Sequence, residues 1–325
     1  MIDRPLIIGS RGSDLALWQA NHIKSLLQHH YPALTISIEV IHTSGDKILD
    51  SPLSQIGGKG VFTKEIEQAL LDKKIDLAVH SMKDLPTEME PALTIAAVPE
   101  RADVQDVFLA KEPSITLAEL PPNAVIATGS LRRKSQLLTQ RSDFQIVDIR
   151  GNVPTRIKKL LASEWHGMIL AAAGVERLGL TEYISHKIST EWVLPAVGQG
   201  ALAVQVRSDD AELIQALSPL NDTATLHSVT AERALLRTLG GGCQVPIGAH
   251  ATVMNDVLNL TACIAHPEGS ALVRAEHSGP TSSAETIGQE LAKTLLENGG
   301  KELLEQVSFL QSSSDELREN AHPAA

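Results

Sequence analysis

The stretch TLGGGCQVPIGAH, Thr238 to His250, sets a thiol, Cys243, directly behind three glycines. Glycines let a backbone come close to a ligand and leave a neighbouring thiol reachable. A covalent role would require the thiolate. The same turn could instead simply bury a small apolar side chain. No histidine pairs with Cys243 at a recognisable spacing, so a protease-like dyad is weak. The other cysteine is Cys263. Two cysteines make no disulfide scaffold, and neither has partners at metal-ligand spacing, so no metal is expected.

Three further clusters could do chemistry. VHSMKDLP (79–86) gathers His80, Ser81, Lys83 and Asp84 where a strand ends, and Pro86 stops a regular continuation. A carboxylate beside a lysine is either a surface ion pair of little worth or, facing a cleft, a group for acid–base work or for stabilising a developing cation. The residues alone leave both open. GSLRRKSQL (129–137) puts Ser130 where a helix starts, with Arg132 and Arg133 in its first turn. Helix N-terminal N–H groups and planar guanidiniums suit carboxylates or phosphates. The alternative is a capped surface helix with ordinary arginines. DIRGNVPTRIKK (148–159) repeats the idea, with Arg150 at a strand end, Gly151 in a sharp turn and Arg156 early in the next helix. Two such loops in one domain point to one pocket mouth and a polyanionic ligand. GGKGVFTKE (57–65) is not a nucleotide loop, because Gly60 follows the Gly-Lys pair where Ser or Thr is needed. It reads as a glycine-rich lid carrying Lys59.

Charge supports a small anionic ligand over nucleic acid. The chain has 28 basic and 39 acidic residues, a net −11, which argues against general nucleic-acid binding. Yet Arg132, Arg133, Lys134, Arg141, Arg150, Arg156, Lys158 and Lys159 crowd into 130–160 against only Asp143 and Asp148. Aromatic residues make up 3% of the chain, so Leu, Ile, Val and Ala must build the cores. No uninterrupted apolar run is long enough for a transmembrane helix. The N-terminus lacks a secretory apolar region. A cytoplasmic protein with neither membrane nor nucleic-acid partner is expected.

The elements that must position these groups alternate. LIIGS (6–10) reads as a buried strand, followed by an amphipathic helix capped by Ser13. Strands follow at 35–42, 75–81 and 93–99, with a helix at 61–74. This order predicts a mainly parallel sheet with helices on its faces. After Arg101 the pattern restarts: VFLA, AVIATG, FQIVDIR and GMILAAA read as strands, with helices from Leu131 and Val153. LPAVGQGALAVQVR (194–207) reads as a further strand. From about Asn221 the texture becomes helix, meander, helix, with turns near Asn255-Asp256 and Glu268-Gly269. The expected class is α/β in three domains: 1–99 with 200–219, then 100–199, then a small α+β domain at 220–310. The polar end, 311–325, reads as disordered. No internal repeat is evident.

Seven stretches, LIIGSRGSDLALWQA, GGKGVFTKE, AVHSMKDLP, GSLRRKSQL, RGNVPTR, LPAVGQGA and GGCQVPIGA, stand in an order that resembles the porphobilinogen deaminase (hydroxymethylbilane synthase) family, from Leu6 to Leu304. The resemblance implies two lobes like those of bilobal periplasmic binding proteins plus a small third domain. It implies a monomeric transferase that joins four porphobilinogen molecules, with loss of ammonia, into a linear tetrapyrrole for haem-type pigments. The units are added to a dipyrromethane cofactor made from substrate and held through a thioether, here at Cys243. Asp84 matches the family's catalytic aspartate. Arg11, Ser13, Asp46, Lys59, Ser81, Lys83, Thr128, Ser130, Arg132, Arg133, Arg150, Arg156, Arg177 and Gln199 match positions that touch cofactor or substrate. Gln55 stands where many relatives have Lys, and Gly129 where many have Ser.

Overall fold

The computed structural model of this 325-residue chain describes residues 2, 4–47, 60–112, 114–241 and 245–307, with the backbone alone at 46 and 47. Gln55, Lys59, Cys243, the Asp46 side chain and the segment 311–325 lie outside the described residues.

The chain opens with strand β1 (Leu6–Ser10), helix α1 (Asp14–His30), β2 (Ile36–Val40), the short α2 (Ser44–Lys47), α3 (Lys64–Leu71), β3 (Leu77–Ser81) and β4 (Leu93–Ala97). It continues with β5 (Asp106–Ala110), β6 (Val125–Ala127), α4 (Leu131–Gln140), β7 (Gln145–Val147), α5 (Val153–Ala162), β8 (Gly167–Ala171), α6 (Ala172–Arg177) and β9 (Ile184–Ile188). Then come β10 (Leu202–Arg207), α7 (Ala211–Leu217), α8 (Thr223–Thr238), β11 (Ile247–Met254), β12 (Val257–Ala265), β13 (Leu272–Pro280) and α9 (Ala284–Leu295).

Three sheets result. The first has the order β2-β1-β3-β10-β4 and the second β7-β6-β8-β5-β9. The third is the antiparallel meander β11-β12-β13. The two α/β sheets share one plan. Three parallel strands lie on one side, then one strand runs antiparallel to both its neighbours. That strand is β10 in the first sheet and β5 in the second, and each is the first strand reached after the chain crosses between lobes. Four of the five strands in each sheet therefore point the same way, as the sequence order predicted, and one runs against them. A strand arriving from the other lobe enters from the far end and must run backwards. The same plan is also a structural repeat with no evident counterpart in sequence.

Local chemistry explains the elements that hold the site. The Ser13 hydroxyl accepts the Ala16 N–H at 3.3 Å and caps α1, whose Ala20, Ile23 and Leu27 are buried on the sheet at helical spacing. Ser130 and Asn152 cap α4 and α5 in the same way. Asn255 and Asp256 both take positive φ, the geometry of a two-residue hairpin turn, and join β11 to β12. The apolar face of this meander packs on α8 and α9 through Leu258, Leu260, Leu235 and Leu291.

Both crossing segments meet at one buried ion pair. Arg101 donates to the two Glu232 carboxylate oxygens at 2.7 and 3.0 Å, and its Nε donates to the Gln199 carbonyl at 2.8 Å. Glu232, fully buried on α8, also accepts the Gly198 and Ala251 N–H groups at 2.7 and 2.8 Å. The third domain is thus bonded to both strands of the joint between the lobes. Gly200 sits in this joint at φ 85°, and a Cβ there would lie 2.5 Å from the Ala102 carbonyl oxygen. Only glycine lets the two segments pass this closely.

Candidate functional site

The carboxyl ends of β1 and β3 open onto a small cleft, partly open to solvent, between the starts of α1 and α3. Its walls include Arg11, Ser13, Phe62, His80, Ser81 and Asp84. A ligand crevice at the carboxyl ends of parallel strands is what α/β topology favours. β3 ends at Ser81, and a single 3-10 turn, Met82–Asp84, projects Asp84 outward as an exposed carboxylate. Gln19 on α1 donates to the Ser81 hydroxyl at 2.9 Å and fixes that end of the strand. The Arg11 guanidinium lies 4.2 Å from the Phe62 ring centroid, a cation–π contact that holds it at the cleft.

A polar chain leads from here into the second lobe. Lys83 Nζ donates to Gln199 Oε1 at 3.5 Å, and Gln199 Nε2 donates to the Val104 carbonyl at 2.7 Å and to Asp106 Oδ1 at 2.8 Å. Asp106, at the start of β5, is fully buried. Arg132 and Arg133 each place a guanidinium nitrogen 2.8 Å from it. Arg132 also donates to the Leu194 carbonyl and Arg133 to that of Ile169. Burial works against the Asp106 carboxylate, but the two guanidiniums outweigh it and hold its pKa well below the usual range. Burial pushes Lys83 down to about 8, with Asp84 and Asp106 opposing and Arg133 and Arg132 assisting.

The remaining cations crowd one another. Burial, then repulsion from Arg133 and Arg150, pushes Arg156 down to about 10 against the pull of Asp148. Its Nε is held by the Gly151 carbonyl at 2.7 Å. Arg150 Nη2 and Arg133 Nε are buried with no hydrogen-bond partner among the described residues. Buried polar groups are normally satisfied. Two orphaned guanidinium nitrogens in a cluster of mutually repelling cations form a donor set that fits a ligand with several carboxylates. Arg177 bridges the lobes: it donates to the Gly200 carbonyl at 2.7 Å and lies 5.4 Å from the Trp18 ring centroid on α1. Burial pushes it down to about 10, with Glu176 opposing.

Of the residues expected from sequence, Arg11, Ser13, Ser81 and Asp84 line one cleft, and Lys83, Gln199, Arg132 and Arg133 join through Asp106. Thr128 and Ser130 are occupied with their own turn: Thr128 accepts the Ser130 N–H at 3.3 Å and Ser130 that of Arg133 at 3.4 Å. Arg132 and Arg133, read from sequence as ligand forks, are 5% and 6% exposed and committed to Asp106. Sequence reasoning missed Asp106, because a lone aspartate before a strand carries no pattern. It also missed Arg101 and Glu232, whose partners are 131 residues apart. Among the described residues no helix is long and apolar enough to cross a membrane, and no cluster of His, Cys, Asp and Glu could hold a metal.

Comparison with known proteins matches two family models: "Porphobilinogen deaminase, dipyromethane cofactor binding domain" over residues 6–215, and "Porphobilinogen deaminase, C-terminal domain" over residues 226–297. The porphobilinogen deaminase of Pelobacter propionicus is 48% identical over 307 residues, covering 94% of this chain and 98% of its own. That of Trichlorobacter lovleyi is 50% identical with the same coverage. Among solved structures, the methionine binding protein MetQ aligns with 66% of this chain and 89% of its own at 13% identity. Its TM-score is 0.41, a likeness too distant to carry an argument about this chain.

Proposed function

The chain belongs to the porphobilinogen deaminase family, and from that premise we propose that Asp84 is its catalytic carboxylate and Cys243 the anchor of its cofactor. The enzyme is a hydroxymethylbilane synthase, a transferase of tetrapyrrole biosynthesis. It builds a linear tetrapyrrole from four porphobilinogen molecules with loss of ammonia, using a dipyrromethane cofactor. When bound, the dipyrromethane supplies the pyrrole terminus to which units are added.

Each porphobilinogen carries an acetate and a propionate, so a growing chain becomes strongly anionic. Arg11 and Lys83 meet the carboxylates of the incoming unit, and Arg150, Arg156 and Arg177 those of the longer chain. Arg132 and Arg133 act from their clamp on Asp106, with the free Arg133 Nε as the donor left over. Ser13, Ser81, Thr128 and Ser130 add hydroxyls, and Asp46 and Lys59 complete the set. Gln199 ties Lys83 to the second lobe. Asp84 accepts pyrrole N–H groups. As the carbon–nitrogen bond of the aminomethyl arm breaks, ammonia leaves with the electron pair. The pyrrole is left cationic, and the fixed carboxylate stabilises that cation more than the neutral ring. Asp84 then takes up the proton released after the new carbon–carbon bond forms. We also read the two α/β sheets as lobes of the periplasmic-binding-protein kind, in a cytoplasmic monomer; their shared strand plan supports the lobes.

The observation that carries this reading is an exposed carboxylate, Asp84, in a cleft lined by Arg11, with Lys83 beside it leading through Gln199 to the buried arginine pair on Asp106. Asp84→Asn keeps the shape and removes the charge. Turnover of porphobilinogen should fall about 10²- to 10⁴-fold with KM changed only a few-fold and the melting temperature unmoved. Parental turnover in this variant would remove Asp84 from the mechanism.

A further inference from the structure

His80 lines the same cleft, beside Arg11, Ser81 and Asp84, and the mechanism above gives it no task. It is 6% exposed near the end of β3. The register with β10 sets it opposite Ala203, and Gln205 follows two residues on, on the same face of the sheet. His80 Nε2 lies 3.1 Å from Gln205 Oε1, and Gln205 Nε2 donates to Glu67 Oε1 on α3 at 3.0 Å.

The far end of this chain sets its direction. An ionised carboxylate only accepts, so Gln205 must turn its NH₂ toward Glu67 and its carbonyl oxygen toward His80. That oxygen also only accepts, so the proton of a neutral His80 must sit on Nε2. Nδ1 then carries a lone pair, and it has no hydrogen-bond partner among the described residues. Burial pushes the ring down to about 4, with the Gln205 bond opposing and Arg11 assisting. At neutral pH no proton occupies the lone pair.

We propose that His80 is a fixed-tautomer hydrogen-bond acceptor of the cleft, receiving through Nδ1 an N–H of the incoming monopyrrole. The proposal rests on the reading of this cleft as the substrate site. The three kinds of group in the cleft sort the three kinds on the ligand. Carboxylates are drawn to Arg11 and turned away by a lone pair. N–H donors, the pyrrole nitrogen and the aminomethyl arm, are taken by Asp84 and His80. A weakly basic acceptor has a further use beside the aminomethyl arm. It can orient the protonated arm without removing the proton that the departing ammonia must keep.

Two measurements on the full-length protein test this. The first is the ¹⁵N spectrum of histidine-labelled protein without substrate, with His80 identified by its loss in His80→Phe. The expected pattern is an Nε2-protonated neutral ring unchanged between pH 8 and 5.5. Protonation on Nδ1, or a charged ring at pH 6, overturns the proposal. Glu67→Gln removes the acceptor-only end of the chain and should give a mixture of tautomers. The second is steady-state kinetics. His80→Phe should raise the KM for porphobilinogen about three- to tenfold, the worth of one hydrogen bond, with kcat within about twofold. A folded His80→Phe with unchanged KM overturns the proposal. If that variant does not fold, Glu67→Gln carries the kinetic test: a rise in KM accompanying mixed tautomers supports the proposal, and mixed tautomers at parental KM overturn it. A competitive analogue lacking the aminomethyl arm then assigns the donor. Weaker inhibition of His80→Phe than of the parent points to the pyrrole N–H, and equal inhibition to the arm. The spectrum needs no turnover, so a fully active Asp84→Asn would end the functional reading and leave the tautomer standing.

Discussion

Lys83 carries a charge that its surroundings make hard to keep. Its pKa is pushed down by burial from 10.5 to about 8, so its ammonium is present below that pH in the folded protein and lost above it. A carboxylate ligand should therefore bind less well in alkali: KM for porphobilinogen should rise between pH 7 and 9, and Lys83→Met should abolish that rise. Between about 8 and 10.5 the unfolded chain holds the extra proton, so the Lys83 contribution to stability increases with pH. Binding and stability then move in opposite directions, which separates loss of the ammonium from unfolding. A KM flat across this range would remove Lys83 from substrate binding. Gly129 makes a second case. A Cβ there would lie 2.9 Å from both Asp148 Oδ1 and the Ile149 carbonyl oxygen. Gly129→Ser, toward the residue of many relatives, should cost about 1–3 kcal/mol in urea unfolding and leave turnover no higher. At this scale the candidate residues were legible because they sit in dense motifs. What they bond to was not legible. Arg132 and Arg133 look like free forks until Asp106, an isolated aspartate at a strand start, is folded against them.

Elements were legible wherever a cap and a period coincided. Ser13 and Ser130 announce α1 and α4, and the paired turn at Asn255-Asp256 announces the β11–β12 hairpin. Strand β9 and helix α7 were not read, because ISHKI sets His and Lys between its apolar residues and seven residues give α7 only about two turns. The reversed direction of one strand in each sheet was not read either. β5 and β10 run antiparallel because of where the chain comes from, and nothing in VFLA or LAVQVR records that. The crossing depends on backbone approach, which gives a direct test. Gly179 and Gly200 both have positive φ, at 68° and 85°, but a Cβ meets nothing within 4 Å at Gly179 and the Ala102 carbonyl oxygen at 2.5 Å at Gly200. Gly179→Ala should show the strain alone, about 1 kcal/mol. Gly200→Ala should melt at a clearly lower temperature and also lose activity, since Gln199, Arg177 and Ala102 all bond within this joint. Equal stability of the two variants would mean that the segments part without cost.

Over the whole molecule, the proposed anchor and the proposed site belong to different domains. Cys243 follows α8 in sequence, and α8 carries Glu232, which is bonded to both crossing segments beside Gln199. Asp84 ends the first-lobe strand β3, and the clustered arginines belong to the second lobe. A ligand held from the third domain would therefore run across the cationic groups of both lobes. An overall acidic protein, at −11, can hold such a polyanion because its cations are gathered there. The most direct test is the intact mass of the denatured protein. The expected mass exceeds that of the sequence by two porphobilinogens less two ammonias, and the excess disappears in Cys243→Ser. A protein at the bare sequence mass, even after incubation with porphobilinogen, or one that keeps the excess in Cys243→Ser, would contradict a self-primed synthase anchored at Cys243.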